Sequence, residues 1–181
     1  MADCNINQKN AFLLSAMFGK LEQMEYFIKS NPEIEKSVDL RNFNALHLST
    51  RYGTLEGTKC LVENHGFDIC DSSNVMGQNS FLLAATVGKP DHMQFFIEKN
   101  PDVLISRSDD HAKCNALHCS AFYGTLEGTE FLVEKHGFDI ADKSNNLDKD
   151  ALMLARTMYE RSGRDRLQSD QIRYLESKLA K

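Results

Sequence analysis

The fifteen residues from Asn44 to Thr58, NALHLSTRYGTLEGT, return as NALHCSAFYGTLEGT from Asn115 to Thr129, with twelve positions identical and an offset of 71. A near-copy of this length implies a stacked array of similar units rather than one closed globule. An array of this kind works through the extended surface that stacking creates, and seldom through a catalytic pocket.

The unit is about half that offset. An Asn or Asp opens each copy, at Asn10, Asn44, Asn79, Asn115 and Asp150, with spacings of 34, 35, 36 and 35. A glycine follows nine residues later at Gly19, Gly53, Gly88 and Gly124, and Tyr159 takes that place in the fifth copy. Five units therefore cover about residues 10–43, 44–78, 79–114, 115–149 and 150–181. They alternate in type. Units one and three share FLL, GK, FI and NP, whereas units two and four share ALH and close on HGFDI. Duplication of a two-unit block explains the alternation.

Each unit reads as helix, turn, helix, extended loop. In unit four, Asn115 is suited to cap the first helix, because its side chain accepts from free N–H groups of the first turn. Ala116, Leu117, Ser120 and Ala121 follow at helical spacing. Gly124 fits a left-handed helix end. Thr125 then opens a second helix, without capping-box support because Gly128 stands where Glu or Gln would. Phe131, Leu132 and Val133 carry that helix into the stack, Gly137 ends it, and residues 138–146 form a polar, turn-rich loop. Unit five differs most: its second helix is expected only from about Asp170 to Lys178, with Ile172, Leu175 and Leu179 facing the stack and Arg161, Arg164 and Arg166 in an insertion before it.

These features resemble the ankyrin repeat family, whose unit of about 33 residues opens with Thr-Pro-Leu-His and consists of two helices and a β-turn. Asn44-Ala45-Leu46-His47 and Asn115-Ala116-Leu117-His118 match that opening with Asn for Thr and Ala for Pro. Leu55-Glu56 and Leu126-Glu127 match the start of the family's second helix, and Gly66-Phe67-Asp68-Ile69 is similar to its closing Gly-Ala-Asp-Val. Units one and three depart, with Leu13 and Leu82 in place of the His and Asn-Pro in place of Gly-Ala; units two and four carry one extra residue before the closing glycine. The resemblance implies an all-α, ankyrin-type solenoid of about five helix-turn-helix repeats with short loop and β-turn fingers. It also implies that His118, at the family's structural His position, braces its loop by hydrogen bonds.

Composition limits the function classes. Apolar residues make up 41% and charged residues 26%, near the globular average. No apolar run approaches the ~18 residues of a membrane span. Ala11 to Phe18 imitates a signal peptide but is accounted for as the first helix, so residues 1–9 read as a polar cap. Five irregularly placed cysteines argue against a secreted disulfide framework and for a reducing compartment, cytoplasmic or nuclear. Residues 150–181 hold seven Lys/Arg against five acids, which leaves −7 for the rest of the −5 total. Nucleic acid is repelled by most of such a surface.

His111, Cys114, His118 and Cys119 lie close together, and Cys114 and His118 are four apart, as two metal ligands on one helical face would be. No repeated Cys-x-x-Cys accompanies them, so neither metal nor cofactor is expected. Asp109-Asp110-His111 could serve acid–base chemistry, but nothing nearby supplies a nucleophile motif, and a solvated loop tip is the expectation. Gly53-x-x-x-Gly57 and Gly124-x-x-x-Gly128 cannot be membrane dimer motifs with Glu56 and Glu127 inside them, and are read as permitting close packing. Cys60, between Lys59 and Leu61 in the second helix of its unit, is expected to be buried and inert.

In ankyrin arrays the two residues before the inter-helix glycine face the concave side. The resemblance therefore points to Met17, Phe18, Arg51, Tyr52, Val87, Phe122 and Tyr123 as partner-binding residues, with Phe43 and Met76 added from the loop tips. Aromatics and Arg dominate binding hot spots. The expected function is a monomeric, non-catalytic module that binds a partner protein. A small hydrolase or metal-dependent enzyme on a repeat scaffold is the competing reading, favoured by a bound metal or by a pocket lined by His118, Cys114 and Asp109. A structural spacer is a third.

Overall fold

The computed structural model describes residues 9–123, 125–162 and 166–180. Most of the expected polar cap (residues 1–8), the helix end at Gly124 and the side chains of Arg164 and Arg166 lie outside the described residues. The described residues form ten α-helices and no strands, so the chain is all-α. The helices come in five pairs: α1 (Ala11–Met17) with α2 (Leu21–Ser30), α3 (Ala45–Tyr52) with α4 (Leu55–Glu63), α5 (Ser80–Val87) with α6 (Pro90–Lys99), α7 (Ala116–Tyr123) with α8 (Leu126–Glu130), and α9 (Ala151–Arg161) with α10 (Arg166–Leu179). Short 3₁₀ turns follow α2 (Pro32–Lys36) and α6 (Pro101–Ile105). The chain divides into two compact units, residues 1–80 and 81–181.

Local chemistry sets most of the boundaries. Asn10, Asn44, Asn115 and Asp150 each accept, through the side chain, the N–H three residues on. Thr54 caps α4 through the Gly57 N–H, and Thr125 caps α8 through that of Gly128. Each such cap is worth about 1 kcal/mol. Two residues before the opening Asn or Asp of units two to five, the backbone turns left-handed, at Asn42, Gly77, Lys113 and Asp148. The position repeats although its residue type does not, which hides it from sequence comparison. Successive loops pair within each compact unit: Val75 N–H donates to the Arg41 carbonyl at 3.0 Å, and Asn146 N–H to the Ala112 carbonyl at 2.9 Å.

His47 and His118 tie helix to loop. The Nδ1 of His47 accepts the Asn44 N–H at 3.2 Å, and its Nε2 meets the Asp71 carbonyl at 2.8 Å. His118 makes the equivalent contacts with Asn115 and Asp142, at 3.3 and 2.8 Å. An imidazole that accepts at Nδ1 and donates from Nε2 is neutral. Burial, the dominant influence, holds both below the ordinary histidine range.

In the first unit the core is built from Phe12, Leu13, Met24, Leu46, Leu48 and Leu61. In the second, Phe81, Leu82, Met93, Phe96, Leu117, Leu132 and Leu175 are all but inaccessible. The glycine expectation holds in part. Gly19 and Gly88 are left-handed, with φ of 64° and 67°. Gly53 is extended, with φ −85° and ψ −161°. It is small for another reason: a Cβ there would lie 2.7 Å from the Ala16 carbonyl oxygen, where α3 crosses α1. In unit four a π turn, Phe131–Lys135, follows α8 directly, whereas the equivalent stretch of unit two stays α-helical to Glu63.

The last helix corrects the sequence reading. α10 starts at Arg166 rather than near Asp170. Leu175 is buried as expected, but Ile172 is only half-buried and Leu179 is 47% exposed. The inward position falls instead on Gln171, which donates to the Ser120 carbonyl at 3.0 Å and to the Thr129 hydroxyl. Ser120 and Thr129 already share a hydrogen bond between α7 and α8, so Gln171 extends a buried polar chain onto α10. Gln171→Leu should destabilise the second unit by about 1–2 kcal/mol despite its greater apolarity, because buried acceptors lose their donor. Urea denaturation of the variant measures this.

Candidate protein-interaction surfaces

The C-terminal ends of α1 and α3 present Phe18, 62% exposed, and Tyr52, 51% exposed. Tyr52 is held in place. The Arg51 guanidinium lies over its ring at 5.4 Å, its Nε donates to the Tyr52 hydroxyl at 2.9 Å, and its Nη1 contacts the Met76 sulfur at 3.4 Å. Arg51 and Tyr52, expected from their place before the glycine, and Met76, expected from the loop tip, thus form one surface cluster. Met17 is half-buried beside Phe18.

Next to Tyr52 opens a cleft of about 410 Å³, rimmed by Leu40 and Arg41. An ion pair between Lys9 and Asp39, 2.9 Å long and almost inaccessible, lies at its base. Burial opposes charge on Asp39, but hydrogen bonds from Lys9 and from the Phe43 and Arg41 N–H groups outweigh it and hold the carboxyl below its ordinary range. Phe43 is not the exposed loop-tip residue expected. It is 4% exposed and reaches the surface only as a lining of this cleft. The Asp39 carboxylate takes the Phe43 N–H and turns that side chain inward, while Leu40 is left 59% exposed. At the next tip Asn74 curls inward to bond Met76 and Gln78, which leaves Val75 65% exposed.

In the second unit Tyr123, 54% exposed, packs edge-on against Phe122 at the end of α7, with ring centroids 4.3 Å apart. Phe122 and Val87 are half-buried. Leu147, 43% exposed, stands at a loop tip formed like that of Val75. In each compact unit, then, helix ends display aromatic residues at the register expected from sequence.

The residues considered for catalysis are engaged otherwise. The Asp110 carboxylate accepts from the Ser108 hydroxyl and from the Ala112 and Lys113 N–H groups, which holds its own turn together. Asp109 pairs with Lys113 at 3.4 Å. Cys114 sits in the loop with its N–H on the Ser108 hydroxyl, and both ring nitrogens of His118 are taken up in its helix and loop. Burial, then Asp110, pushes the Cys114 thiol up to about 11, so the inert thiol is the stable form. The described cysteines Cys60, Cys70, Cys114 and Cys119 are free thiols. In the basic C-terminal stretch, Arg156 pairs with Glu176 at 2.7 Å and Arg173 with Asp170 at 3.3 Å. No helix among the described residues is long and apolar enough to cross a membrane.

One constellation escaped the sequence reading. Cys60 is half-buried rather than buried; its thiol meets Glu25, and His65 meets the same Glu25 oxygen. These residues are 35 and 5 positions apart, and no short motif announces them.

No protein-family model matches the chain. No curated protein matches it significantly in sequence.

Proposed function

We propose that the chain is an ankyrin-type repeat protein that acts without catalysis, as a monomer in a reducing compartment such as the cytosol or nucleus, by binding a partner protein. The Arg51–Tyr52–Met76 cluster beside its cleft is the observation that carries this reading. An exposed aromatic usually loses entropy when a partner orders it. Tyr52 is ordered beforehand by Arg51, and preorganisation of this kind strengthens binding. Tyr and Arg are also the residue types whose truncation costs most at interfaces. The Phe122–Tyr123 pair offers the second unit its own contact patch. Free thiols support the compartment.

The test compares the wild-type chain with Tyr52→Ala and Tyr123→Ala, singly and together. Affinity capture with quantitative mass spectrometry should identify a protein retained by the wild type and lost with the double variant. Titration of that protein should show each substitution weakening binding by about 2 kcal/mol, roughly thirtyfold. Both side chains are half exposed, so melting temperatures should move little. Unchanged binding by the double variant overturns the proposal. A steep loss of stability shows instead that the aromatics serve packing.

A further inference from the structure

We propose that Glu25 Oε1, Cys60 Sγ and His65 Nε2 form a binding site for a divalent cation of the zinc class, with Glu35 as the residue that orients the imidazole. The ligands come from three places in the first unit. Glu25 lies in the middle of α2, Cys60 is on α4, and His65 follows the end of α4. All three donor atoms lie within 4.8 Å of one another. Cys60 Sγ is 3.3 Å from Glu25 Oε1, and His65 Nε2 is 3.3 Å from the same oxygen. A tetrahedral zinc with bonds of about 2.0–2.3 Å needs ligand atoms about 3.3–3.6 Å apart.

The surroundings match what a metal-binding histidine requires. His65 Nδ1 is 3.0 Å from Glu35 Oε1, in the 3₁₀ turn after α2. A carboxylate at Nδ1 fixes the tautomer, leaves the Nε2 lone pair facing Cys60 and Glu25, and makes the ring a better ligand. The second carboxylate oxygen of Glu25 faces Lys29 at 3.6 Å, so Oε1 is the one left for the site. Thiolate and imidazole select zinc-like cations over magnesium or calcium. One thiolate and one carboxylate neutralise the double positive charge, and three protein ligands leave a fourth position for water or another donor. Binding replaces the Cys60 S–H···Glu25 hydrogen bond with a metal–sulfur bond, and the thiol proton leaves to solvent.

The second copy of the two-unit block shows that the fold does not demand this grouping. The corresponding positions there hold Gln94, Leu104, Phe131 and His136. The Phe131 ring packs against His136 at 4.8 Å, and His136 Nε2 is buried without a hydrogen-bond partner among the described atoms. An apolar filling serves packing at this position. The Glu–Cys–His–Glu set is an additional property of the first unit.

The experiment uses the full chain, freed of metal with a chelator and kept reduced. Zinc chloride is titrated by calorimetry and cobalt(II) by absorption. One equivalent should bind, and the cobalt complex should show thiolate charge-transfer and tetrahedral bands. Cys60→Ser and His65→Gln should each abolish the bands and weaken zinc binding at least a hundredfold. Glu35→Gln, which removes no ligand, should weaken it about ten- to a hundredfold. Cys70→Ser should change nothing. Circular dichroism of every variant without metal should match the wild type, because the fold stands without the ion. Absence of zinc uptake by the wild type overturns the proposal. So does uptake that survives both Cys60→Ser and His65→Gln, which would place the metal on other thiols. An unaltered affinity in Glu35→Gln removes the orienting role.

Discussion

Gly53→Ala is expected to destabilise the first unit by about 3 kcal/mol, at the upper end of the cost of overpacking a core. The added methyl would stand 2.7 Å from the Ala16 carbonyl oxygen, 2.9 Å from that of Ser49 and 3.1 Å from the Ser49 Cα. All three are backbone atoms, so no side chain can turn aside, and α1 and α3 must separate. Loss of glycine's freedom in the unfolded chain favours the variant by only about 0.4–1 kcal/mol, too little to offset the clash. For a unit of this size the melting temperature should fall by about 12 °C or more. Gly66→Ala is the comparison. Gly66 has φ of 65° and open space around it, so alanine there meets backbone strain alone, about 1–2 kcal/mol. Thermal melts of the two variants decide the matter. A smaller loss for Gly53→Ala than for Gly66→Ala would show that the helix crossing is looser than described.

The second large effect concerns the bracing histidines. Replacing His47 with Ala at pH 7.5 should destabilise the first unit by about 3 kcal/mol. It removes a buried ring, the acceptor of the Asn44 N–H and the contact with the Asp71 carbonyl. That cost should shrink on acidification. Burial holds the folded His47 below the ~6.5 at which an unfolded histidine titrates. The stabilisation is therefore complete above pH 6.5. As pH falls below that value the unfolded chain takes up a proton that the folded chain refuses, and stability is lost until the folded pKa is passed. His118, depressed by the same cause, acts in the same direction. The carboxyls of Asp39, Asp71 and Asp142 are depressed from 3.8, so their losses begin only in stronger acid. Urea unfolding of the wild type and of His47→Ala/His118→Ala at pH 7.5 and 5.5 measures the difference. An equal cost at both values would mean that the two rings are not held neutral.

The pairing of helices was legible in sequence because its signals are local. An Asn accepting the N–H three residues ahead and a Thr opening the next helix act within one turn of chain, so spacing alone places them. The aromatic register at Phe18, Tyr52 and Tyr123 was legible for another reason: the ankyrin resemblance singles out the residues just before the inter-helix glycine. Phe43 was not. It directly precedes the capping Asn44, yet its burial depends on Asp39 accepting its N–H and thereby turning the loop inward. The inward face of α10 was misassigned because it falls on a glutamine, which is recognisable as buried only once the Ser120 carbonyl and the Thr129 hydroxyl stand opposite it.

The sequence by itself thus determined the number of units, their helix pairs and the caps that delimit them, because those depend on hydrogen bonds within a few residues. Only the tertiary structure decided why Gly53 must be small, that Arg51 reaches Met76, and that Glu25, Glu35, Cys60 and His65 converge. Each of those depends on atoms brought within about 3.5 Å from positions that are distant in the chain, and burial and hydrogen bonding act at that contact distance whatever the separation in sequence.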